Sequence, residues 1–195
     1  RDSAVKLGAQ NLSAESQGAF TGEVSAAMLK DVGCDYVIVG HSERRHLYGE
    51  SDSLVARKVS AALGRGLTPI VCVGETQADR ASGKVADVIS AQVSESMPGE
   101  GTAFVIAYEP VWCIGGDRTP TMEEIGEVHF TIRDTLRSRI GAAADAVRIL
   151  YGGAVNPKNA AEIFAVDGVD GALVGRASLK AADFSAIILS HPAAT

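Results

Sequence analysis

Glu109 has the side-chain type and the position that proton-transfer chemistry needs. It comes directly after an apolar run over residues 104–108, so its carboxylate is expected to lie partly out of water. Desolvation raises the pKa of a carboxyl group, which makes Glu109 a candidate general base. The alternative interpretation is a glutamate that ends its strand in a structural salt bridge.

His41 also ends an apolar run, and Ser42 and Glu43 behind it are typical of a helix start. The positive end of a helix dipole disfavours an imidazolium. The sequence therefore predicts a neutral His41 that can donate a hydrogen bond to a carbonyl group. A histidine that only caps the helix or packs in the core is the alternative.

Three glycine-rich segments, at 114–116, 151–154 and 174–176, are candidates for holding an anion. Glycine lets backbone N–H groups approach a phosphate closely, and a following helix N-terminus adds a favourable dipole. Each segment alone also fits an ordinary turn. Lys and Arg number 18 against 24 Asp and Glu, a net charge of -6, so local groups must hold any anionic substrate.

Large apolar residues directly follow the candidate base. The segment consists of Pro110, Val111, Trp112, Cys113, Ile114, Gly115 and Gly116. An apolar tip between proline and glycine suits a lid that closes over a substrate and excludes water. Alternatively, the loop packs its tryptophan, the only one in the chain, onto the body of the protein.

The elements that position these residues are short β-rich runs alternating with amphipathic stretches. The runs cover 5–9, 36–39, 70–73, 104–108, 148–151 and 172–174. Apolar residues recur between them at helical spacing. Strand followed by helix, about six times, predicts parallel β/α units in a single α/β domain over residues 1–195. Function in such folds lies at the carboxyl ends of the strands, where the candidate residues occur.

Composition excludes several classes of protein. With 46% hydrophobic and 22% charged residues, the chain is not a disordered tail. The acidic balance argues against nucleic-acid binding, and no apolar run reaches the ~20 residues of a membrane span. Three separated cysteines and four histidines without metal-ligand spacing predict no metal site and a reducing, cytoplasmic setting.

Five segments together resemble the triosephosphate isomerase family. They are GAFTGE at 18–23, VGHSERR at 39–45, YEPVWCIG at 108–115, YGG at 151–153 and LVGRASL at 173–179. The resemblance implies a TIM (β/α)8 barrel, with about six of its eight β/α units in this sequence. It also implies an isomerase of glycolysis and gluconeogenesis that interconverts dihydroxyacetone phosphate and D-glyceraldehyde 3-phosphate without a cofactor.

The resemblance also implies roles for individual residues. Glu109 corresponds to the base, His41 to the neutral electrophile and Glu43 to a supporting carboxylate. The lid runs from Pro110 to Arg118. The phosphate contacts correspond to Gly115, Gly153, Ala154, Gly175 and Arg176. Phe20 and Thr21 correspond to a loop that enters a second subunit, so a homodimer is implied. From the residues alone, Phe20 is either such an interface residue or one tucked onto its own domain.

The sequence departs from the family pattern at several positions. Cys113 replaces an alanine, Ala154 a serine, and Arg176 the second glycine of a Gly-Gly pair. Residues 116–118 replace a usual Thr-Gly-Lys, so different closure kinetics are expected. The family's first two strands, with an asparagine and a lysine that reach the substrate, are not in these 195 residues. Either the sequence is part of a longer ordinary enzyme, or it is a truncated chain expected to be poorly soluble or oligomeric, with negligible isomerase activity.

Two other functions stay open from the sequence. The same base, histidine and phosphate contacts would serve an isomerase of a four-carbon ketose phosphate. The chain could also be an inactive barrel fragment that only binds phosphate, because fold alone does not establish activity. Glu109 and His41 argue against this second alternative, since a binding protein needs no base.

Overall fold

Six parallel strands form one sheet in the computed structural model, which describes residues 4–97, 101, 103–113 and 118–194. The strands are β1 (Gly8–Ala9), β2 (Tyr36–Val39), β3 (Thr68–Val73), β4 (Val105–Tyr108), β5 (Arg148–Tyr151) and β6 (Gly171–Ala172). Their order in the sheet is their order in the chain. Because neighbours run parallel, each connection has to cross back over the sheet, and helices make that crossing.

Eight α-helices lie in the described part of the chain. They are α1 (Ala26–Asp31), α2 (Ser42–Tyr48), α3 (Asp52–Leu63), α4 (Gln77–Ala81), α5 (Val85–Ser96), α6 (Met122–Ile140), α7 (Ala160–Phe164) and α8 (Ala181–Leu189). Short 3-10 helices cover Val111–Cys113, Gly141–Ala146, Arg176–Leu179 and Pro192–Ala194. The predicted alternation of strands and helices is therefore confirmed. None of the helices described is long and apolar enough to cross a membrane.

The core lies against both faces of the central strands. All four residues of β4 are buried, and Val71 in the neighbouring β3 and Val37 in β2 are 0% exposed. Helices α3 and α5 cover the sheet with Val55 and Ile89, which are also fully buried. Strands covered on both faces read as continuous apolar runs, as the sequence indicates here.

The outer strands are shorter than predicted. The runs at 5–9 and 172–174 yield strands of only two residues, Gly8–Ala9 and Gly171–Ala172. Each has a hydrogen-bonded neighbour on one side only among the described residues. With half the ladder bonds of a central strand, less of the apolar run is held in strand geometry.

Local sequence fixes where α6 begins. The Thr121 hydroxyl accepts a hydrogen bond from the Glu124 N–H at 3.1 Å, and the Glu124 carboxylate accepts one from the Thr121 N–H at 2.9 Å. This capping box satisfies two backbone donors that a helix start otherwise leaves unpaired. It also places the Glu124 carboxylate beside Arg80 and Arg118, which matters for the site below.

Candidate active site

Glu109 enters the site because its neighbour on the next strand is a glycine. Its N–H donates to the Val73 carbonyl at 2.8 Å, which continues the pairing of β4 with β3 by one residue. A side chain on Gly74 could not be accommodated, since its Cβ would lie 1.8 Å from the Glu109 carbonyl oxygen. Glu109 itself is 2% exposed, so its carboxylate is almost completely withdrawn from water.

The Glu109 carboxylate faces the N-terminus of α2. Its Oε1 lies 2.9 Å from Nε2 of His41 and accepts a hydrogen bond from the Ser42 hydroxyl at 3.1 Å. Its Oε2 accepts from the Ser42 backbone N–H at 2.9 Å. Helix N-termini favour negative charge, so this contact stabilises the carboxylate where it lies. The structure thus brings together the two residues that the sequence singled out for proton transfer.

The sequence around His41 fixes the orientation of its ring. Gly40 adopts a φ of 65°, a left-handed conformation that glycine adopts readily, and this turn leads from β2 into α2. A helix begins behind His41, as predicted, and His41 also caps it, as the alternative interpretation had it: its Nδ1 accepts the Glu43 N–H at 3.3 Å. In the neutral ring the proton therefore sits on Nε2, which points at Glu109. The His41 side chain is 31% exposed, so a ligand can reach it.

The charge balance at His41 differs from the prediction. The hydrogen bond to the Glu109 carboxylate raises the pKa of His41, more than burial lowers it, and the Glu43 charge adds in the same direction. The helix dipole alone predicts the opposite direction. The dipole argument did not include the carboxylate 2.9 Å away, and that carboxylate sets the direction of the pKa shift. Glu43 lies exposed in the first turn of α2 and acts on His41 through its backbone N–H and its charge.

Cys72 completes the surroundings of the Glu109 carboxylate. Its side chain is 0% exposed. Burial, and after it the charge and hydrogen bond of Glu109, hold the pKa of the Cys72 thiol well above its usual range. The thiol therefore stays protonated and donates toward Glu109. Sequence analysis gave Cys72 no role in the site and used Ser42 only as part of a helix start. The signals available were that Cys72 is the last residue but one of β3 and that Ser42 directly follows His41.

A second buried carboxylate, Glu75, lies at the end of the neighbouring strand β3. It is 0% exposed, and its Oε1 accepts hydrogen bonds from Trp112 Nε1 at 2.6 Å, the Tyr108 hydroxyl at 3.1 Å and Arg80 Nε at 3.2 Å. The guanidinium groups of Arg80 and Arg118 lie 4.5 and 4.8 Å from the Trp112 ring centre. Such contacts stabilise an indole through its negative π-face. Sequence analysis missed this cluster.

The lid candidates are therefore docked on the body of the protein where the structure describes them. Pro110 and Cys113 are buried, Val111 and Trp112 half-buried. Burial raises the pKa of the Cys113 thiol to about 12, so it stays unreactive in this position. Trp112 packing matches one of the two interpretations of the sequence. Ile114, Gly115 and Gly116 lie outside the described residues, so the predicted amide contact of Gly115 does too.

The predicted phosphate contacts follow β5 and β6. A side chain on Gly153 would force the buried Tyr151 ring to shift, because its Cβ would lie 2.1 Å from the Tyr151 hydroxyl. Ala154 is exposed. Gly175 precedes the 3-10 helix Arg176–Leu179, and both Gly175 and Arg176 are exposed. All parallel strands end on one side of the sheet, so these segments share an edge with His41 and Glu109.

Phe20 and Thr21 lie in an exposed turn between β1 and α1. Phe20 is 48% exposed, and its ring also lies over Gly18. Phe20 therefore fits both interpretations in part: its side chain is half exposed, as an interface residue would be, and its ring also packs on its own loop. Among the residues described, no three or more His, Cys, Asp and Glu side chains are grouped as a metal site requires.

Comparisons with known proteins agree with this geometry. A family model described as triosephosphate isomerase matches residues 1–191. The triosephosphate isomerase of Xanthobacter autotrophicus is 58% identical over 193 residues, covering 98% of this chain and 76% of that protein. That of Hyphomonas neptunium is 56% identical over 187 residues, covering 95% and 75%.

A crystal structure of triosephosphate isomerase from Bartonella henselae superposes with a TM-score of 0.89 at 45% identity. It covers 95% of this chain, which spans 76% of that one. The six parallel strands therefore correspond to part of a TIM barrel, as the sequence predicted. On this evidence the chain belongs to the triosephosphate isomerase family.

Proposed function

We propose that the chain interconverts dihydroxyacetone phosphate and D-glyceraldehyde 3-phosphate, with Glu109 as the base that moves a proton between the two carbons. The observation that carries the proposal is the 2.9 Å contact of His41 Nε2 and Glu109 Oε1 at the carboxyl end of the sheet. Abstraction of a proton next to the carbonyl gives an enediolate, and return of the proton to the other carbon completes the isomerisation.

His41 supplies the complementary group. Its Nε2–H, now directed at Glu109, can donate instead to the carbonyl oxygen of a bound substrate and stabilise the enediolate oxygen that forms. The Glu43 N–H on Nδ1 supports this tautomer. When a substrate separates His41 from Glu109, the contact that raises the pKa of His41 is lost, which favours the neutral ring.

Backbone groups at the ends of β5 and β6 hold the phosphate. Gly153 and Ala154 supply N–H groups after β5, and Gly175 and Arg176 supply them after β6. The exposed Arg176 guanidinium adds a positive charge at this edge of an otherwise acidic chain. The family resemblance assigns a further amide contact to Gly115, which lies outside the described residues.

The activity is tested with the purified protein from a host whose own triosephosphate isomerase gene is deleted. We expect kcat/KM for the triose phosphates to exceed that for a four-carbon ketose phosphate. A preference for the four-carbon substrate would overturn the assignment. Phosphate binding without turnover of either sugar, by protein that also shows native near-UV circular dichroism, would favour a binding protein instead.

We also propose a homodimer in a reducing, cytoplasmic setting. Large apolar side chains are exposed in two segments, near the Phe20–Thr21 turn and at the end of α2, and exposed apolar surface is typical of an interface. They are Phe20, Val24, Met28, Leu47 and Tyr48. The three cysteines are free and buried, which fits a reducing compartment. Sedimentation of the wild type should give twice the mass of one chain, and F20S should lower the mass toward that of one chain. A wild-type mass of one chain would contradict the proposal.

A further inference from the structure

Arg45 connects the ends of two strands beneath the site. It lies on α2, one turn beyond His41, with its side chain 13% exposed. Its Nε donates to the Gly40 carbonyl at 2.9 Å, and its Nη2 donates to the Cys72 carbonyl at 3.1 Å. Gly40 directly follows β2, and Cys72 is the last residue but one of β3, so one guanidinium connects the carboxyl ends of both strands.

The guanidinium is itself held in one orientation. Its Nη1 donates to Asp52 Oδ1 at 2.6 Å, and its Nη2 lies 3.0 Å from the Ser96 hydroxyl oxygen. The Ser96 hydroxyl in turn donates to Asp52 Oδ1 at 2.9 Å. Asp52 begins α3 and Ser96 ends α5, so residues on two helices fix the orientation of the Arg45 guanidinium. A planar group with several donors fits this arrangement, whereas a lysine ammonium has a single nitrogen.

The two carbonyls belong to backbone next to the reacting pair. Gly40 directly precedes His41, so rotation of its peptide moves the imidazole. Cys72 faces Glu109 with its thiol, so a shift of its backbone moves a neighbour of the carboxylate. Buried carbonyls need a hydrogen-bond partner, and losing Arg45 would release both at once.

We propose that Arg45 is a positioning residue that sets the separation of His41 Nε2 and Glu109 Oε1. It touches neither the substrate nor the proton that moves. It acts by holding the Gly40 and Cys72 carbonyls in place. The inference rests on the proposed roles of His41 and Glu109.

Arg133 provides a matched control at a distance from the site. Its side chain is 14% exposed, its Nη1 donates to the Ala144 and Val147 carbonyls, and its Nη2 pairs with Asp170 at 3.0 Å. It therefore resembles Arg45 in burial, in holding two carbonyls and in pairing with an aspartate. It differs in that these partners lie around the start of β5 and before β6, at the opposite ends of the strands.

The test compares R45K and R133K in the protein at its native length. A displacement of about 1 Å at reacting groups costs about 100-fold in rate. We expect R45K to lower kcat by about that factor with KM changed less than threefold, since the phosphate contacts are untouched. R133K should lower the melting temperature similarly and leave kcat within twofold of the wild type.

The imidazole resonances of His41 give a second readout that does not need activity. In the wild type, Glu109 raises the pKa of His41. A longer separation weakens that effect, so R45K should lower the pKa of His41 toward the ordinary 6.5, and R133K should not. If R45K and R133K have the same kcat and the same His41 pKa, the proposal is wrong.

Two further results keep the test decisive. If R45K does not fold, D52A removes one orienting partner while the guanidinium stays, and we expect a shift of the His41 titration in the same direction. An unchanged titration in D52A would overturn the proposal. If wild-type protein shows no isomerase activity, the proposed function fails, whereas the His41 titration still decides the role of Arg45.

Discussion

Glu75 and Glu109 are two carboxylates in nearly the same place with different environments. Each directly or closely follows an apolar strand, β3 or β4, and they are 0% and 2% exposed. Sequence position and burial therefore do not distinguish them. Their hydrogen-bond partners do.

The Glu109 oxygens contact groups that a substrate can replace or leave undisturbed. Their partners are the Ser42 N–H and hydroxyl, the Cys72 thiol and the partly exposed His41 ring. Glu75 instead takes three donors on one oxygen, including the Arg80 guanidinium and the Trp112 indole, and its Oε2 is buried with no partner among the described residues. A charged hydrogen bond to arginine holds a carboxylate in place. The comparison teaches that a catalytic base is better identified by whether a substrate can replace the hydrogen-bond partners of its carboxylate than by how deeply the carboxylate is buried.

The largest expected effect separates the two carboxylates by activity. E109Q removes the base, and general-base catalysis contributes about 10²- to 10⁴-fold, so we expect kcat to fall by about 10³-fold. E75Q should lower kcat by no more than about tenfold, since the partners of Glu75 are Tyr108, Arg80 and Trp112 and include neither His41 nor Glu109. Steady-state assays measure both. Equal losses in the two variants would remove the distinction, and calorimetry with a phosphoglycolate inhibitor checks that E109Q still binds.

The loss of stability should rank the two variants in the opposite order, with E75Q destabilised more than E109Q. E75Q replaces an acceptor of charged and neutral hydrogen bonds with an amide, at a cost of about 2 kcal/mol. For a chain of this size that lowers the melting temperature by about 4–8 °C. The emission of Trp112 should shift to the red as its indole loses a partner. E109Q should change both quantities less, and a larger destabilisation by E109Q would contradict the account.

A smaller effect tests how Ser42 holds the base. S42A removes one hydroxyl donor from Glu109 and leaves the backbone donor, so about 1 kcal/mol of positioning is lost. This predicts a fall in kcat of about fivefold. The matched control is S60A, whose hydroxyl donates to the Ala56 carbonyl on the outside of α3. We expect no change in S60A; a fall equal to that of S42A would show a nonspecific cause.

The smallest signal is a titration. Glu109 raises the pKa of His41, so E109Q should lower it and E75Q should leave it unchanged.

His129 serves as an internal reference, because burial lowers its pKa to about 4. Its unfolded pKa is about 6.5, so the unfolded state binds the extra proton first and stability falls between about pH 6.5 and 4. H129N, which keeps a donor for the Gly168 carbonyl, should flatten that fall in thermal unfolding; an unchanged fall would assign it to other groups.

Sequence reasoning reached the features that depend on nearby residues. Strand–helix alternation, the helix start at His41 and the strand-end position of Glu109 are all encoded within a few residues. Features that join distant residues were not accessible in that way. The pKa direction of His41 depends on a carboxylate 68 positions away, and Glu75 meets the indole of a residue 37 positions later. Which donors converge on a buried oxygen follows only from packing the strands side by side.

The most direct test of Glu109 as the base is hydrogen exchange into the substrate. Dihydroxyacetone phosphate is incubated with the protein in D2O, and deuterium at its reacting carbon is followed by proton NMR. The account predicts exchange by the wild type and by E75Q at similar rates, and exchange by E109Q at least about 100-fold slower. Exchange by E109Q at the wild-type rate would contradict the assignment.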